Sequence, residues 1–447
     1  MPFSINDTDL RNVRYGGTAF VLGMPTIPLL IHLPVIYAEV IGLGLTGTGI
    51  ALFVARFLDV VSDPLVGLWS DRSDGRWGRR KPLILLGGIV AAIATVYLLN
   101  PDSGVGHYYL TVWASVLYFG WTLINIPYLA WGAELSHDYT GRTKITSVRE
   151  AFMLTGILTA GAIPALAAAN GFGERQAVSL IGWVTIIIGA ILFAFLLFGV
   201  QEPKRRPLHR REDPLRAIKG LSGNRPFQFL LCGWFINGLA NGIPAVLFIL
   251  YMKHVLEANE LERGLLTLTY FIAGVLGIPV WVWLSKRLAK QKTWSIAMTL
   301  ACISFAFVPL LGSGDIIQFF FITIITGITL GADLIIPPSM QADVAEFEYF
   351  RSRHDRTSLL FACWSMATKF ALALSVLIAF LLLEAFGFTP SLLDAKSNIV
   401  ALAVIYAALP IVFKLSSILI ISLYPLTLHR QSLVRRRLVS LEARLER

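Results

Sequence analysis

The chain has 447 residues, of which 55% are apolar and only 15% charged, and its formal net charge is +10. Soluble domains carry roughly 25% charged residues, so this composition excludes an ordinary soluble fold and points to a membrane protein. The positive balance would suit nucleic acid, but the basic residues fall between apolar stretches and form no contiguous basic face, so that partner is not expected.

The first fifteen residues are polar and mixed in charge, without a short basic region followed by an apolar core. No signal peptide is expected, and the first membrane helix would serve as the insertion signal. Apolar stretches of about 20 residues then recur, each long enough to cross a hydrocarbon core of ~30 Å. Twelve helices are expected, at 16–40, 44–69, 82–100, 107–134, 149–170, 178–200, 226–251, 264–285, 293–312, 316–340, 357–386 and 398–424. They are too long and too continuously apolar for the short alternating strands of a barrel. The fold class is therefore an all-α membrane protein.

The first of these helices holds Gly16, Gly17, Gly23, Pro25, Pro28 and Pro34. Such residues interrupt backbone hydrogen bonds, which a membrane tolerates where the gap faces protein or a water-filled cavity. The second helix carries Arg56, Asp59 and Asp63. A carboxylate at bilayer depth is expensive and is seldom kept without a role. Spacings of three and four residues put all three charges on one face. Two acids and a base on one stripe make a candidate cation site; the alternative is that Asp59 only pairs with Arg56 to hold helices together.

Basic residues concentrate after the even-numbered helices. Arg72, Arg76, Arg79, Arg80 and Lys81 follow the second, and Lys204, Arg205, Arg206, Arg210, Arg211, Arg216, Lys219 and Arg225 follow the sixth. The alternate loops hold little beyond Arg175, Arg263 and Lys396. This bias places both termini in the cytoplasm of a multi-pass protein of the plasma (cytoplasmic) membrane. Cys232, Cys302 and Cys363 lie in apolar segments without metal-ligand spacing. No Gly-rich phosphate loop of the ATP-driven type occurs, and the His residues are scattered, so neither an enzyme nor an ATP-driven pump is expected. No cofactor and no metal centre are expected beyond a coupling ion. The expected partners are a small-molecule substrate and membrane lipids, and the chain is expected to act as a monomer.

The chain also repeats itself. Ala133-ELSHDYTGRT-Lys144 after the fourth helix and Ala342-DVAEFEYFRSRHDRT-Ser358 after the tenth both run from an acid at a helix end to an Arg-Thr pair that opens the next helix. Two parallel six-helix halves follow, with a midplane site between them. The expected organisation is a half at 1–200, a cytoplasmic connector at 201–225, a second half at 226–425 and a basic tail at 426–447.

Asp71-RSDGRWGRRK-Pro82 resembles the basic loop that marks major facilitator transporters between helices two and three. In such a loop Asp71, Arg72, Arg76, Arg79 and Arg80 would gate the half-domain by pairing with acidic helix ends. Ala55-RFLDVVSDP-Leu65, Asn125-IPYLAWGAELSHDYTGRT-Lys144, Ser339-MQADVAEFEYFRS-Arg353 and Lys369 are similar to the glycoside–pentoside–hexuronide:cation symporters, the melibiose permease type. These matches lie in both halves and keep their spacing.

The resemblance implies specific roles. Asp59 and Asp63 match the carboxylates that bind the coupling cation, Ser62 stands where the family site has Asn, and Thr122 matches its Thr. Oxygen ligands of this kind suit Na⁺, and one carboxyl could instead carry a proton, so the coupling ion is Na⁺ or H⁺. On the sugar side Gly23 and Asn125 stand in place of two acids, while Arg149 falls near the basic partner on the fifth helix. Asn is the weaker partner for a hydroxyl. With Arg149 uncompensated and Lys369 nearby, the expectation shifts from a galactoside to a substrate bearing a carboxylate or phosphate. Lys369 would link the cation and substrate sites, or bridge to Asp59 or Asp63. Trp364, one turn away, and Tyr128 are the candidate aromatic contacts, while Tyr128, like His32, Tyr37 and Trp121, is alternatively a packing aromatic. Lys414 is expected to pair with a backbone carbonyl or a lipid phosphate. The expected function is cation-coupled symport of a sugar, glycoside or sugar acid by alternating access. The alternatives are a transporter of lysolipids or other amphipathic solutes, as in the animal lysophospholipid carriers, and a substrate-sensing relative that does not transport, against which the intact Asp59, Asp63 and Lys369 argue.

The topology has a direct check. In a background with Cys232, Cys302 and Cys363 replaced, Gly75→Cys and Ser440→Cys are expected to resist impermeant thiol reagents added outside intact cells. Labelling of either from outside would refute the orientation.

Overall fold

The computed structural model describes residues 7–72, 77–102, 104–135, 139–202, 220–352, 356–388, 396–426 and five positions between 430 and 437. Arg76, most of the connector and most of the basic tail lie outside the described residues.

Long helices make up nearly all of what is described. We label them α1 (Asp7–Gly23), α2 (Leu45–Arg72), α3 (Lys81–Leu99), α4 (His107–Glu134), α5 (Tyr139–Ala169), α6 (Glu174–Gly199), α7 (Arg225–His254), α8 (Glu260–Arg287), α9 (Lys290–Phe307), α10 (Ile316–Ser352), α11 (Thr357–Ala385) and α12 (Lys396–Ser422). Among the described residues eleven spans are long and apolar enough to cross a membrane, one of them running through α1 to Val40. The twelfth expected span corresponds to α2, whose 28 residues suffice in length and contain Arg56, Asp59 and Asp63.

The punctuation in the first span has its expected effect. Beyond Gly23 the helix loosens into widened turns over Pro28–His32 and Ile36–Val40. Each proline lacks an N–H and crowds the preceding turn, and a widened turn relieves that crowding.

Two compact units form. The first comprises Met1–Arg206 with Ala245–Leu268 and Val376–Ala395; the second comprises Pro207–Pro244, Thr269–Ser375 and Lys396–Arg447. In the first unit α1 and α5 touch backbone to backbone. A Cβ on Gly23 would lie 2.3 Å from the Met153 carbonyl oxygen, and one on Gly156 would lie 2.0 Å from that of Phe20. Small residues permit this approach, which is how apolar helices gain contact when lipid offers no hydrophobic incentive. Behind the crossing, Tyr15 and Tyr128 stack at 4.5 Å, and each hydroxyl donates to the other residue's carbonyl oxygen at 3.0 and 2.9 Å. Segment 245–268 joins this unit through Lys253 and His254, which donate to Glu39, and through Gly264, which packs on Ala165. Segment 376–395 joins it through Glu384, which accepts the Thr46 amide at 3.0 Å.

The second unit packs around Trp294, Ile336, Met340, Leu360 and Tyr424. Beside that core Glu348, fully buried, accepts from Asn224, Arg351 and Arg356. Lys290, after α8, pairs with Asp343 of α10, the kind of contact between a basic loop and an acidic helix end that the repeat implied.

Gly23→Ala is expected to lower stability by about 1–3 kcal/mol, because the added methyl meets a backbone oxygen that cannot retreat. Gly88→Ala, where a Cβ meets nothing within 4 Å, is the control and should stay within about 0.5 kcal/mol of the parent. Thermal unfolding of both in one detergent checks this; a Gly23→Ala protein that melts like the parent would contradict the crossing.

Candidate functional site

The charged stripe of α2 faces α4. Asp59 is only 3% exposed. The Thr122 hydroxyl oxygen lies 2.7 Å from Asp59 Oδ1 and 2.9 Å from Asp63 Oδ1. A hydroxyl carries one proton, so it donates to one of these carboxylates at a time. The three oxygens converge on one buried point, which brings together three of the four residues expected at the cation site.

Ser62, the fourth, turns back on its own helix and donates to the Asp59 carbonyl oxygen at 2.9 Å. Ser and Thr hydroxyls readily make such local bonds. Arg56 reaches Asp59 Oδ2 at 3.4 Å and lies over the Tyr118 ring at 3.8 Å from its centroid. The ring face and the carboxylate together stabilise a guanidinium at this depth. Arg56 thus offsets part of the negative charge of the α2 stripe from its outer side.

The substrate-side residues are distributed unevenly. Asn125 is half-buried, one turn beyond Thr122 on the same face of α4, with no side-chain hydrogen bond among the described residues. Tyr128, a further turn along, is 1% exposed and engaged with Tyr15, so it packs the helix crossing. The place expected for an acid at Gly23 has no room for any side chain, because it is pressed on Met153. Arg149 is not uncompensated: its guanidinium donates to the carboxylate of Glu150. That pairing removes half of the argument for an anionic substrate.

Trp364 and Lys369 belong to the second unit. Trp364 is half-buried and stacks on Trp234 at 4.5 Å, while the Trp234 indole N–H donates to Thr368 at 2.6 Å. Lys369 is half-buried in α11. The partners that Lys414 meets within the protein are side chains. Its ammonium donates to Asn237 at 3.0 Å and Asn241 at 2.8 Å and stands 4.0 Å from Asp333. Asp333 also accepts from the Trp294 indole at 2.6 Å and from Asn241 at 2.8 Å. Four helices, α7, α9, α10 and α12, thus close around one buried charge pair. Asp333 was identifiable by the rule that singled out Asp59, an isolated acid in an apolar run.

At the end of α2 lie the residues expected to gate, described in part. Asp71 and Arg72 lie on the helix, and their side chains, like Arg76 as a whole, lie outside the described residues. Arg80 is 3% exposed and donates to the Pro127 carbonyl oxygen at 3.2 Å. The backbone amides of Arg79, Arg80 and Lys81 all donate to Glu202, at 2.7, 3.0 and 2.8 Å. A carboxylate there satisfies the open N–H groups of the α3 N-terminus and favours its dipole. Gly78 precedes them with φ +115, and a Cβ there would lie 2.6 Å from Glu202, so both conformation and space require glycine. Glu202 escaped sequence reasoning because it opens a stretch that reads as polar linker. At the other end of the first unit, Glu174 accepts from His32 at 2.9 Å with Arg263 at 3.7 Å.

Residues 15–428 match the family described as MFS/sugar transport protein. Relatives include the inner membrane symporter YicJ of Escherichia coli, 26% identical over 90% of this chain and 88% of its own. The isoprimeverose transporter of Lactiplantibacillus pentosus is 23% identical over 87% and 82%. The human sodium-dependent lysophosphatidylcholine symporter 1 is 25% identical over 86% and 77%. Among solved structures, the nucleoside transporter NupG superposes with a TM-score of 0.63 at 13% identity, covering 93% of this chain and 99% of its own. A bacterial homologue of the human lysosomal transporter Spinster, in an inward-facing form, superposes with a TM-score of 0.60 at 13% identity over 96% and 95%. The chain is a multi-pass membrane protein with the major facilitator fold, and it belongs to the MFS/sugar transport protein family.

Proposed function

We propose that the chain is a secondary active transporter that couples the movement of a monovalent cation to symport of a sugar, glycoside or sugar acid by alternating access. The observation that carries this reading is the Thr122 hydroxyl held within 2.9 Å of both Asp59 and Asp63. Three hard oxygen donors at one buried point suit Na⁺, and H⁺ competes for the same oxygens. Arg56 offsets part of the site's negative charge and so keeps the cation exchangeable. Asn125, one turn from Thr122, is the residue proposed to hydrogen-bond substrate beside the cation. Arg149, Trp364 and Lys369 enter on the family resemblance as further substrate or coupling contacts. Arg79 and Arg80 serve as the gate at the basic end, and the pairs of Glu39 and Glu174 open at the other end during the cycle. Both termini are assigned to the cytoplasm.

A second reading, transport of a lysolipid or similar amphipathic solute, is favoured by the likeness to the lysophosphatidylcholine symporters. Melting-temperature shifts with sugars, sugar acids and lysolipids, each with and without Na⁺, separate the two.

In proteoliposomes, Asp59→Asn and Asp63→Asn are each expected to abolish concentrative uptake while substrate exchange continues. Thr122→Val should raise the half-saturating cation concentration by about tenfold or more, the loss of one charge-assisted hydrogen bond of roughly 1.5–3 kcal/mol. Full accumulation by both Asp variants would remove the cation site from the account.

A further inference from the structure

The first unit carries a groove that the transport chemistry leaves unused. It runs between α3 and α6, floored by α1 and α4, and encloses about 390 Å³. A dry cavity of roughly 150 Å³ already holds a benzene molecule. The rim residues Leu85, Ile89 and Phe198 are exposed, so in a membrane the groove opens onto lipid.

Its length follows from the helix it tracks. The lining on α3 runs from Ile84 to Thr95, which at ~1.5 Å per residue is about 17 Å. That is roughly half of a ~30 Å hydrocarbon core, the depth of one leaflet. The walls are overwhelmingly apolar. The two threonine hydroxyls of the lining are both turned inward, Thr95 donating to Ala91 and Thr185 to Ile181, each at 2.7 Å.

The mouth differs from the walls. Trp77 and Phe198 face each other there with ring centroids 6.1 Å apart, at the end of the unit where the basic residues gather. Arg14, exposed, donates to the carbonyl oxygen of Gly199, the residue after Phe198. The nearby carboxylate of Glu202 is already held by three backbone amides. A cation thus stands at headgroup level over an apolar slot one leaflet deep.

We propose that this groove is a lipid site, which takes one acyl chain of an anionic glycerophospholipid from the adjoining leaflet and sets its phosphate against Arg14. Gly88 makes room for the chain: a Cβ there meets nothing within 4 Å, so a larger side chain enters the groove without striking backbone. The site is separate from Asp59, Asp63 and Thr122 and does not rest on the transport reading.

Full-length protein, reconstituted with mixed phosphatidylglycerol and phosphatidylcholine and then stripped in mild detergent, is examined by native mass spectrometry. The parent is expected to retain one phosphatidylglycerol. Gly88→Leu should lose most of that retained lipid while melting at the parent temperature. Arg14→Ala should keep a lipid but lower its preference for phosphatidylglycerol over phosphatidylcholine about fivefold, the effect of one basic residue near an anionic surface. Ala92→Leu, one turn further along the lining, gives a second filled groove if Gly88→Leu does not fold. Retention by a folded groove-filling variant equal to that of the parent, or a parent that retains no lipid, would overturn the proposal.

Discussion

Charge buried among apolar helices must be compensated within hydrogen-bonding reach, and the arrangement of this molecule follows from that constraint. Asp59 sits in a helix whose neighbouring residues are Val, Leu and Phe, and it is met by Arg56 from its own helix and Thr122 from α4. Glu348 draws Asn224, Arg351 and Arg356 into one cluster. Lys414 and Asp333 close the second unit with two asparagines and a tryptophan. Each compensation ties together helices that greasy contact alone would leave free to slide. Hydrophobic attraction supplies little orientation inside a bilayer, so polar contacts and close backbone crossings set it instead.

The α2 site differs from the others in one respect. Around Glu348 and Asp333 a single carboxylate is met by several donors, and the clusters read as structural joints. At Asp59 and Asp63 two carboxylates converge on a single hydroxyl, and Arg56 stands beside Asp59. Two carboxylates converging on one hydroxyl across facing helices are the physical basis on which the coupling ion is proposed here.

Much of this was legible in the sequence, unevenly. The apolar spans, the widened first helix and the facing of Asp59, Asp63 and Arg56 follow from length, proline content and a spacing of three to four residues. The partner of the two acids, Thr122, lies 63 residues from Asp59, and only the resemblance to a known family pointed to it. Arg149 was expected to stand uncompensated because Gly23 and Asn125 replace the two acids of the resembled family. Its long side chain nevertheless curls back to Glu150. The fate of Gly23 depended on which helix crosses it, and that pairing has no local signature. Lys414 needed partners from two other helices before its position made sense.

The cation site itself is tested most directly by melting purified protein across a grid of NaCl and pH, with choline chloride holding ionic strength constant. A bound ion stabilises the folded state in proportion to the logarithm of its saturation. The account predicts that the parent gains stability with Na⁺, most clearly at high pH where protons no longer compete, and that Asp59→Asn and Asp63→Asn do not respond. A parent indifferent to Na⁺ at every pH, or variants that respond as the parent does, would contradict it.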